Sequence, residues 1–437
     1  MIGALRRPQR LGAVVQPLAR ALSTEAPQWA HLEPTPADPI LGLTAAFKKD
    51  PAPQKVNLSM GAYRDDNGNP FVLECVREAE NRINADRSLN KEYLPVEGDP
   101  NFRELTRNFV LGDDHSGLDP AQVSVVQTLS GTGALRVGGE FLRKYLQGEG
   151  QPKIHVSSPT WGNHHNIFRE SGLAVESYSY LNEQGTGLDF DGMVSDFEAL
   201  PNGSCVLLHA CAHNPTGVDP SPEQWVTLAE VFKAKNLLPF FDCAYQGYAS
   251  GNADADAGSI RTFIKAGLQP LIAQSYAKNM GLYGERVGAL QIVCTNAERA
   301  EIVLGHVKQQ VIRPMYSSPP LHGARIAAAV LGERELRDMW KVELKTMSER
   351  VQGMRTDLRN ALESIDTPNE HGVVDWSHIT HQIGMFAFTG LTKDTVQRLL
   401  DEHNVYLTKD GRMSVAGLCS SNIEYVAKAM HSVLTSK

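Results

Sequence analysis

The chain has 437 residues, of which 42% are hydrophobic and 21% are charged, and these values are ordinary for a globular protein. Its formal charge of −8 argues against a nucleic-acid partner, and no apolar run reaches the roughly 18 residues of a membrane-spanning helix. The 6 cysteines include no Cys-x-x-Cys pair, so we predict reduced, buried thiols and neither a bound metal nor a disulfide framework.

Residues 1–23 differ in composition from the rest of the chain. No acidic residue occurs among them, and their basic residues are Arg6, Arg7, Arg10 and Arg20. Apolar residues recur at helical spacing, and this Arg-rich amphipathic pattern predicts a transit peptide that directs the protein to the mitochondrial matrix. A disordered basic tail is the main alternative, because Pro8 and Pro17 interrupt the helical pattern. A secretory signal is disfavoured, since the apolar run is short and broken.

Strand-like apolar runs alternate with helical patterns through the middle of the chain. These runs are VSVVQT (123–128), KIHVSS (153–158), CVLLHA (205–210), LLPFFD (237–242), PLIAQ (270–274) and GALQIVCT (288–295). Such alternation, with nearly continuous apolar strands, predicts an α/β fold whose mostly parallel sheet is covered by helices on both faces. Ligands of such sheets bind beyond the carboxyl ends of the strands.

The pattern changes after about residue 345. A long amphipathic helix is followed by short strands around GMFAFTG and GRMSVAGL. We therefore predict a second, smaller α/β domain that is built from both chain ends. The predicted segments are a transit peptide (1–23), an N-terminal arm with part of the small domain (24–71), a large domain (72–345) and the C-terminal part of the small domain (346–437).

Polar residues follow several of the predicted strands. Ser130-Gly131-Thr132 lies where a strand gives way to a helix, which suits an anion, although a plain capped turn has the same composition. Asp242 ends an apolar run, either as a helix N-cap or as the partner of a buried cation. Lys278 follows PLIAQ in a glycine-rich turn, and a lysine is rarely buried unless it is paired or used chemically.

Other candidates have equally ordinary readings when each is taken alone. Asn214 could be a turn residue, Trp161 a core residue and Arg286 half of a surface ion pair. Their convergence on one edge of the sheet is what points to pyridoxal phosphate. Its aldehyde requires a lysine and its ring nitrogen requires a carboxylate. Its phosphate requires a helix N-terminus, hydroxyl groups and an arginine.

A set of longer motifs adds a family resemblance. These motifs are VNLSMGAYRDDNGNP, SGTGALR, PTWGNH, HNPTGVDP, SYAKNMGLYGERVGAL and IRPMYSSPP. The chain resembles the aspartate aminotransferases, which are fold-type I pyridoxal-phosphate enzymes, and most closely their mitochondrial form. The resemblance extends over nearly the whole chain after the leader. It implies a homodimer with shared active sites, in which the large domain binds the cofactor.

The resemblance also implies roles for individual residues around the cofactor ring. Lys278 would bind the cofactor aldehyde as a Schiff base and then move the substrate Cα proton. Asp242 would pair with the ring nitrogen, with His164 behind it. Tyr245 and Asn214 would form hydrogen bonds to the 3′-oxygen of the cofactor. Trp161 would stack on the ring and border the substrate.

Further roles concern the phosphate and the substrate. The phosphate would be held by Ser130, Gly131, Thr132, Ser275 and Arg286, and by Tyr93 from the neighbouring subunit. Arg412 would grip the substrate α-carboxylate, and Arg313 from the partner subunit would grip the side-chain carboxylate. Gly61 would offer backbone groups to the substrate, together with Asn214. Pro159 and Pro215 would follow cis peptide bonds.

Two short stretches depart from the family pattern. Ser59 and Met60 stand where a glycine and a branched residue are usual, and Asp99 and Pro100 stand where small or apolar residues are usual. Both stretches flank the substrate or subunit region in the family. They leave the implied roles intact but leave rate and secondary specificity open.

The predicted reaction is a ping-pong transamination. L-Aspartate and 2-oxoglutarate would give oxaloacetate and L-glutamate. An aminotransferase with broadened aromatic or kynurenine specificity is the first alternative. A catalytically silent interaction or lipid-binding protein is the second, and Lys278 argues against it, because a silent protein has no use for a Schiff-base lysine.

Overall fold

The structure, a computed structural model, describes residues 28–35 and 40–436. The chain divides into two compact units, residues 1–38 and 39–437. In the first unit, the described residues form a turn in which the Leu32 N–H donates to the Trp29 carbonyl. The predicted transit peptide, residues 1–23, lies outside the described residues and stays a prediction.

The second unit alternates helices and strands. Its helices are α1 (Leu41–Lys49), α2 (Glu74–Ala85), α3 (Pro100–Leu111), α4 (Ser130–Tyr145), α5 (Asn163–Glu170), α6 (Phe190–Ala199), α7 (Pro222–Ala234), α8 (Ala253–Asp256), α9 (Gly258–Lys265), α10 (Ala297–Val307), α11 (Arg313–Tyr316), α12 (His322–Gly332), α13 (Arg334–Ser364), α14 (Ser377–His381), α15 (Lys393–His403) and α16 (Ile423–Thr435). Its strands are β1 (Val56–Asn57), β2 (Val123–Leu129), β3 (Lys153–Ser158), β4 (Ala174–Ser179), β5 (Cys205–His209), β6 (Leu238–Cys243), β7 (Leu271–Ser275), β8 (Val287–Val293), β9 (Phe386–Phe388), β10 (Val405–Tyr406) and β11 (Arg412–Ser414). Short 3₁₀ turns span His115–Gly117, Pro120–Gln122 and Val415–Gly417, and a π-helical turn spans Lys308–Ile312.

A seven-stranded sheet forms the centre of this unit, in the order β2-β8-β7-β6-β5-β3-β4. Only β8 runs against the other strands of this sheet, because it pairs antiparallel with both β2 and β7. Each of the six apolar runs picked out in the sequence overlaps one of its strands. The predicted α/β fold with a mostly parallel sheet is therefore confirmed.

Side chains that alternate along the strands supply a separate core on each face of the sheet. In β5, Val206 and Leu208 join one cluster of buried residues, while Leu207 joins the other. In β6, Phe241 and Phe240 divide in the same way. Because both faces are covered, the strands contain almost no exposed positions, which explains their continuous apolar sequences.

Two small sheets lie outside the central sheet, and the sheet of β1 and β10 joins the two ends of the chain. β1 pairs parallel with β10, and β9 pairs antiparallel with β11. The long helix α13 spans 31 residues and begins well before the helix predicted from residue 345. The boundary predicted at 345 falls inside this helix, and the four predicted segments stay a prediction.

Other sequence-based points can be read directly from the structure. All six cysteines are free and buried. The peptide bonds before Pro159 and Pro215 are cis, as the resemblance implies. Within the described residues, none of the helices combines the length and the apolar composition needed to cross a bilayer.

Close packing of α4 on the sheet generates a stability prediction. A Cβ atom at Gly138 would lie 2.5 Å from Cζ of the buried Phe240. We expect Gly138→Ala to reduce the free energy of unfolding by about 1–3 kcal/mol, the usual range for overpacking. Gly353→Ala in α13 is the matched control, because nothing lies within 4 Å of its added Cβ. There the gain in helix propensity should stabilise the protein by about 0.5–1 kcal/mol. Chemical denaturation of both variants checks this, and equal effects would contradict the packing argument.

Candidate active site

A cavity of about 500 Å³ opens at the carboxyl ends of the parallel strands. The sequence-predicted residues that line it are Gly61, Ser130, Gly131, Thr132, Trp161, Asn214, Asp242, Tyr245, Ser275, Lys278, Arg286 and Arg412. They come from the loops after several strands and from both ends of the second unit. This is the position at which open α/β sheets bind their ligands.

The first turn of α4 forms an anion-binding corner of the cavity. Among the described residues no side chain caps this helix, so the N–H groups that follow Ser130 in its first turn can meet a ligand. The hydroxyls of Ser130 and Ser275 lie 3.1 Å apart. Ser130 and Arg286 both have positive φ angles, 64° and 54°, and the Ser130 N–H donates to the Arg286 carbonyl. Such strained conformations concentrate at functional sites, and this corner can hold a phosphate.

Asp242 supplies the negative charge of the cavity. His164 is fully buried behind it, with Nε2 3.1 Å from a carboxylate oxygen of Asp242. Burial alone would raise the pKa of Asp242, but the hydrogen bond to His164 and the charges of His164 and Lys278 lower that pKa overall. The carboxylate therefore stays ionised and can hold a proton on a ring nitrogen.

A buried network that the sequence did not reveal extends behind His164. Its Nδ1 lies 2.8 Å from the hydroxyl of Thr160, and that hydroxyl lies 3.4 Å from Nε2 of His209. Nδ1 of His209 accepts a hydrogen bond from the Asn214 N–H. Burial lowers the pKa of His209 to about 3, so this imidazole is neutral. His209 ends an apolar run, as Asp242 does, and this position is the one sequence signal that could have found it.

Lys278 offers an amine to the cavity. Its Nζ lies 5.1 Å from the centre of the Tyr245 ring and has no hydrogen-bond partner among the residues that the structure describes. Burial lowers the pKa of Lys278, Asp242 opposes this effect, and the charges of Arg286 and Arg412 add to it. Burial raises the pKa of Tyr245, so its phenol keeps the proton. An amine with a lowered pKa and no partner is suited to nucleophilic and proton-transfer chemistry.

Arg412 is a buried residue of the cavity lining. It donates to the Asn214 side-chain oxygen at 3.2 Å and to the Ser59 carbonyl at 3.0 Å. Its guanidinium carbon lies 4.0 Å from the centre of the Phe386 ring, and its Nε has no partner within the described chain. Burial lowers the pKa of Arg412. A guanidinium held in this way presents its remaining donors to a carboxylate.

Two predicted residues do not line the cavity. Tyr93 has 87% of its surface exposed. Arg313 is exposed at the start of α11, where it donates to the Ser317 hydroxyl. Both were predicted to act in the site of a partner subunit, and that role stays a prediction.

The departures from the family pattern have local structural roles. Asp99 is the N-cap of α3, where its side chain accepts from the Phe102 N–H at 2.8 Å, and Pro100 occupies the first helical turn. Asp and Pro are favoured at these positions. The Ser59 hydroxyl lies 2.7 Å from the Asn57 side-chain oxygen, beside the backbone carbonyl that meets Arg412.

Further residues missed by the sequence reasoning support the cavity through the backbone. A Cβ on Gly288 would lie 2.5 Å from the Ser130 carbonyl carbon, so only glycine lets β8 approach the anion-binding corner. Asp219 accepts from the N–H groups of Ala212, at φ 50°, and His213, which fixes the loop before Asn214. Neither role has a local signature in the sequence.

Comparison with known proteins identifies the family. The sequence model described as "Aminotransferase class I and II" matches residues 53–430. The chain belongs to this family. The predicted family, fold type and transferase class are thereby confirmed.

Curated relatives from several cell compartments are similar along almost the entire chain. Aspartate aminotransferase 1 of Medicago sativa is 51% identical, with 93% of this chain and 95% of the relative covered. The mitochondrial aspartate aminotransferase of Xenopus tropicalis is 48% identical, with 96% of each chain covered. Aspartate aminotransferase 3, chloroplastic, of Arabidopsis thaliana is 50% identical, with 93% of this chain and 89% of the relative covered.

Solved structures share the fold. The cytoplasmic aspartate aminotransferase of Saccharomyces cerevisiae has a TM-score of 0.89 at 40% identity, with 93% of this chain and 98% of that chain covered. The aromatic-amino-acid aminotransferase of Burkholderia pseudomallei, solved covalently bound to pyridoxal phosphate, has a TM-score of 0.87 at 40% identity, with 94% and 100% covered.

The environment of Asp219 predicts a pH dependence. Burial raises its pKa from 3.8 to about 6, so between these values the folded state holds this proton more tightly than the unfolded state. The stability contributed by Asp219 is therefore complete below about pH 4 and is lost as the pH rises through 6. The loss is roughly 3 kcal/mol at about 1.36 kcal/mol per pKa unit. Thermal unfolding from pH 4 to pH 7 should show wild type losing stability relative to Asp219→Asn. A pH-independent difference would contradict this.

Proposed function

We propose that this chain binds pyridoxal phosphate in the cavity and transfers the amino group between L-aspartate and 2-oxoglutarate, giving oxaloacetate and L-glutamate. The observation that carries the proposal is the amine of Lys278, which has no hydrogen-bond partner among the described residues and lies in the same cavity as Asp242, Arg412 and the start of α4. The names of the curated relatives support aspartate as the substrate.

Unsatisfied groups in the cavity match the cofactor and the substrate one by one. The amine of Lys278 matches an aldehyde, and the uncapped first turn of α4 with Ser130 and Arg286 matches a phosphate. The carboxylate of Asp242 matches a protonated ring nitrogen. The free Nε of Arg412 belongs to a guanidinium that matches a carboxylate. The residues present therefore fit pyridoxal phosphate.

Bound pyridoxal phosphate supplies an electron sink for negative charge at the substrate Cα. Lys278 Nζ would accept the Cα proton and later return it, and its lowered pKa brings the amine closer to the range of an effective proton-transfer group. Asp242, oriented by His164, holds a proton on the ring nitrogen. Tyr245 and Asn214 provide hydrogen bonds to the 3′-oxygen, and Trp161 covers the ring and excludes water.

Two guanidinium groups account for the proposed substrate. Arg412 binds the α-carboxylate, and Arg313 of the partner subunit binds the side-chain carboxylate. Each fork can grip a carboxylate bidentately, so the pair selects dicarboxylic amino acids and keto acids. An enzyme with broader aromatic specificity is the second candidate, favoured by the similarity to the aromatic-amino-acid aminotransferase.

A substrate panel tests the reaction and separates the two candidates. The purified holoenzyme is assayed with aspartate, glutamate, phenylalanine, tyrosine and kynurenine, each with 2-oxoglutarate. An unpaired, desolvated charge costs about 2–5 kcal/mol, so kcat/KM for aspartate should exceed that for phenylalanine by about two orders of magnitude. Equal values would favour the broad-specificity enzyme, and no turnover of any amino acid would overturn the proposal.

We expect Lys278→Ala to abolish turnover while the protein still binds the cofactor, because separate residues hold the phosphate. Lys265→Ala is the control, since its amine lies at the surface 3.9 Å from Asp114 and Lys265 does not line the cavity. Aspartate turnover and retention of the cofactor absorption after dialysis are the measurements. Near-normal turnover by Lys278→Ala would show that another group does this chemistry.

We also propose a homodimer with composite sites, in which Tyr93 and Arg313 serve the cavity of the partner subunit. Their exposure in the single chain supports this assignment. In a mixed dimer of Lys278→Ala and Arg313→Ala subunits, one site is intact and the other carries both defects.

Subunit exchange between these two variants should therefore restore activity. Random pairing makes about half of the dimers mixed, so about a quarter of wild-type activity is expected by twofold symmetry. Aspartate turnover is measured before and after an equimolar mixture is unfolded and refolded. No recovery in demonstrably mixed dimers would place both residues in one chain's site.

Residues 1–23 are proposed to direct import into the mitochondrial matrix, on the basis of their arginine-rich composition. The names of similar relatives include mitochondrial and chloroplastic forms, so the comparisons do not choose a compartment. A reporter fused to residues 1–30 should enter the matrix, and replacing its four arginines with glutamine should leave it in the cytosol. A native fusion that stays cytosolic would refute import.

A further inference from the structure

Arg355 is a fully buried cation that has no ion-pair partner among the residues described. It lies in α13, and its guanidinium donates to the backbone carbonyls of Ile379, Gly384 and Phe386. The first two hydrogen bonds are both 2.9 Å long. Burial lowers the pKa of Arg355 to about 9, so it remains charged at neutral pH. Burying a charge is unfavourable unless it is well hydrogen-bonded, so these carbonyls are held strongly.

The held segment, residues 379–386, leads directly into the carboxylate-binding side of the cavity. Phe386 begins β9, which pairs with β11, the strand that carries Arg412. The Phe386 ring lies against the Arg412 guanidinium, and its edge occupies the space in which a Cβ on Gly61 would fall, at 2.7 Å. The position of this short strand therefore determines where the guanidinium of Arg412 lies.

The same segment also packs against the loop that carries Asn214. The Ile383 N–H donates to the Gly217 carbonyl at 2.8 Å. A Cβ on Gly384 would lie 2.4 Å from Cβ of Ala212. Only a glycine at position 384 therefore lets the backbone of this segment lie so close to the loop at Ala212. The side-chain oxygen of Asn214 accepts a hydrogen bond from Arg412. The segment therefore supplies Phe386, which contacts Arg412, and packs against the loop that carries Asn214, which also contacts Arg412.

We propose that Arg355 is a positioning residue for substrate carboxylate binding, acting through residues 379–386 on Phe386 and Arg412. This inference rests on the proposed function, in which Arg412 binds the substrate α-carboxylate. Bidentate recognition depends on placement within fractions of an ångström, so loosening this segment weakens binding before it affects the cofactor. Arg355 does not line the cavity.

The test uses the holoenzyme and succinate, a dicarboxylate that has no amino group to react. We expect Arg355→Met to raise the dissociation constant of succinate and the KM for aspartate at least about tenfold. We expect kcat to change less than about threefold and the cofactor absorption to be retained, because the bound cofactor is held by other residues. Arg355→Lys keeps the charge and some of the donors, so its effect should be smaller but in the same direction.

Leu358→Ala provides the control for general destabilisation, because Leu358 is fully buried in the same helix and belongs to the hydrophobic core. It should lower the unfolding temperature without changing succinate affinity. Unchanged affinity in folded Arg355→Met, or an equal loss in Leu358→Ala, would overturn the positioning role. If Arg355→Met does not fold, Arg355→Lys decides by the same criterion. A wild type that neither binds succinate nor uses aspartate would overturn the proposed function itself.

Discussion

An excess of positive charge in a shielded cavity is the constraint on which this site depends. Lys278, Arg286 and Arg412 line the cavity, and among its described lining residues Asp242 is the only carboxylate. Burial lowers the pKa of each of these three groups, so collecting their positive charge in one place is unfavourable. A phosphate beside Arg286 and a carboxylate beside Arg412 would relieve it. The cavity thus favours anionic ligands at two places, and the amine of Lys278 lines the same cavity.

The scaffold maintains this arrangement with backbone contacts as well as side-chain packing. Parallel strands bring the charged residues to one edge, and Gly288 allows β8 to approach the turn at Ser130. Two charged groups of opposite sign then hold the surrounding loops. Asp219 accepts from backbone N–H groups on the Asn214 side, and Arg355 donates to backbone carbonyls on the Phe386 side. Loop geometry at the substrate side is in this way fixed by buried electrostatics.

The sequence predicted the parts of this structure that have local signatures. Strands covered on both faces are apolar throughout, so β2, β3, β5, β6, β7 and β8 could be recognised. β4 was not predicted, because it is an edge strand whose middle residues Glu176 and Ser177 are exposed. Lys278 and Asp242 could also be picked out, because each stands in a short sequence motif that can be recognised locally.

Residues whose role depends on tertiary contacts could not be found in this way. Arg355 resembles any other arginine of an amphipathic helix until its carbonyl partners are known. His209, Asp219 and Gly288 act through groups that are distant in sequence or belong to the backbone. The departure at Asp99 and Pro100 left rate and secondary specificity open, and the structure shows an ordinary helix start there. Local sequence patterns therefore predict the residues that line the cavity better than they predict the residues that hold its loops in place.

The half-reaction with aspartate tests the central claim most directly. Purified protein loaded with pyridoxal phosphate is mixed with L-aspartate in the absence of any keto acid, and oxaloacetate is measured along with the visible absorption. The account predicts about one equivalent of oxaloacetate per subunit and loss of the cofactor aldehyde band, as a ping-pong enzyme requires. Protein that binds the cofactor but forms no oxaloacetate and keeps its absorption unchanged would contradict it.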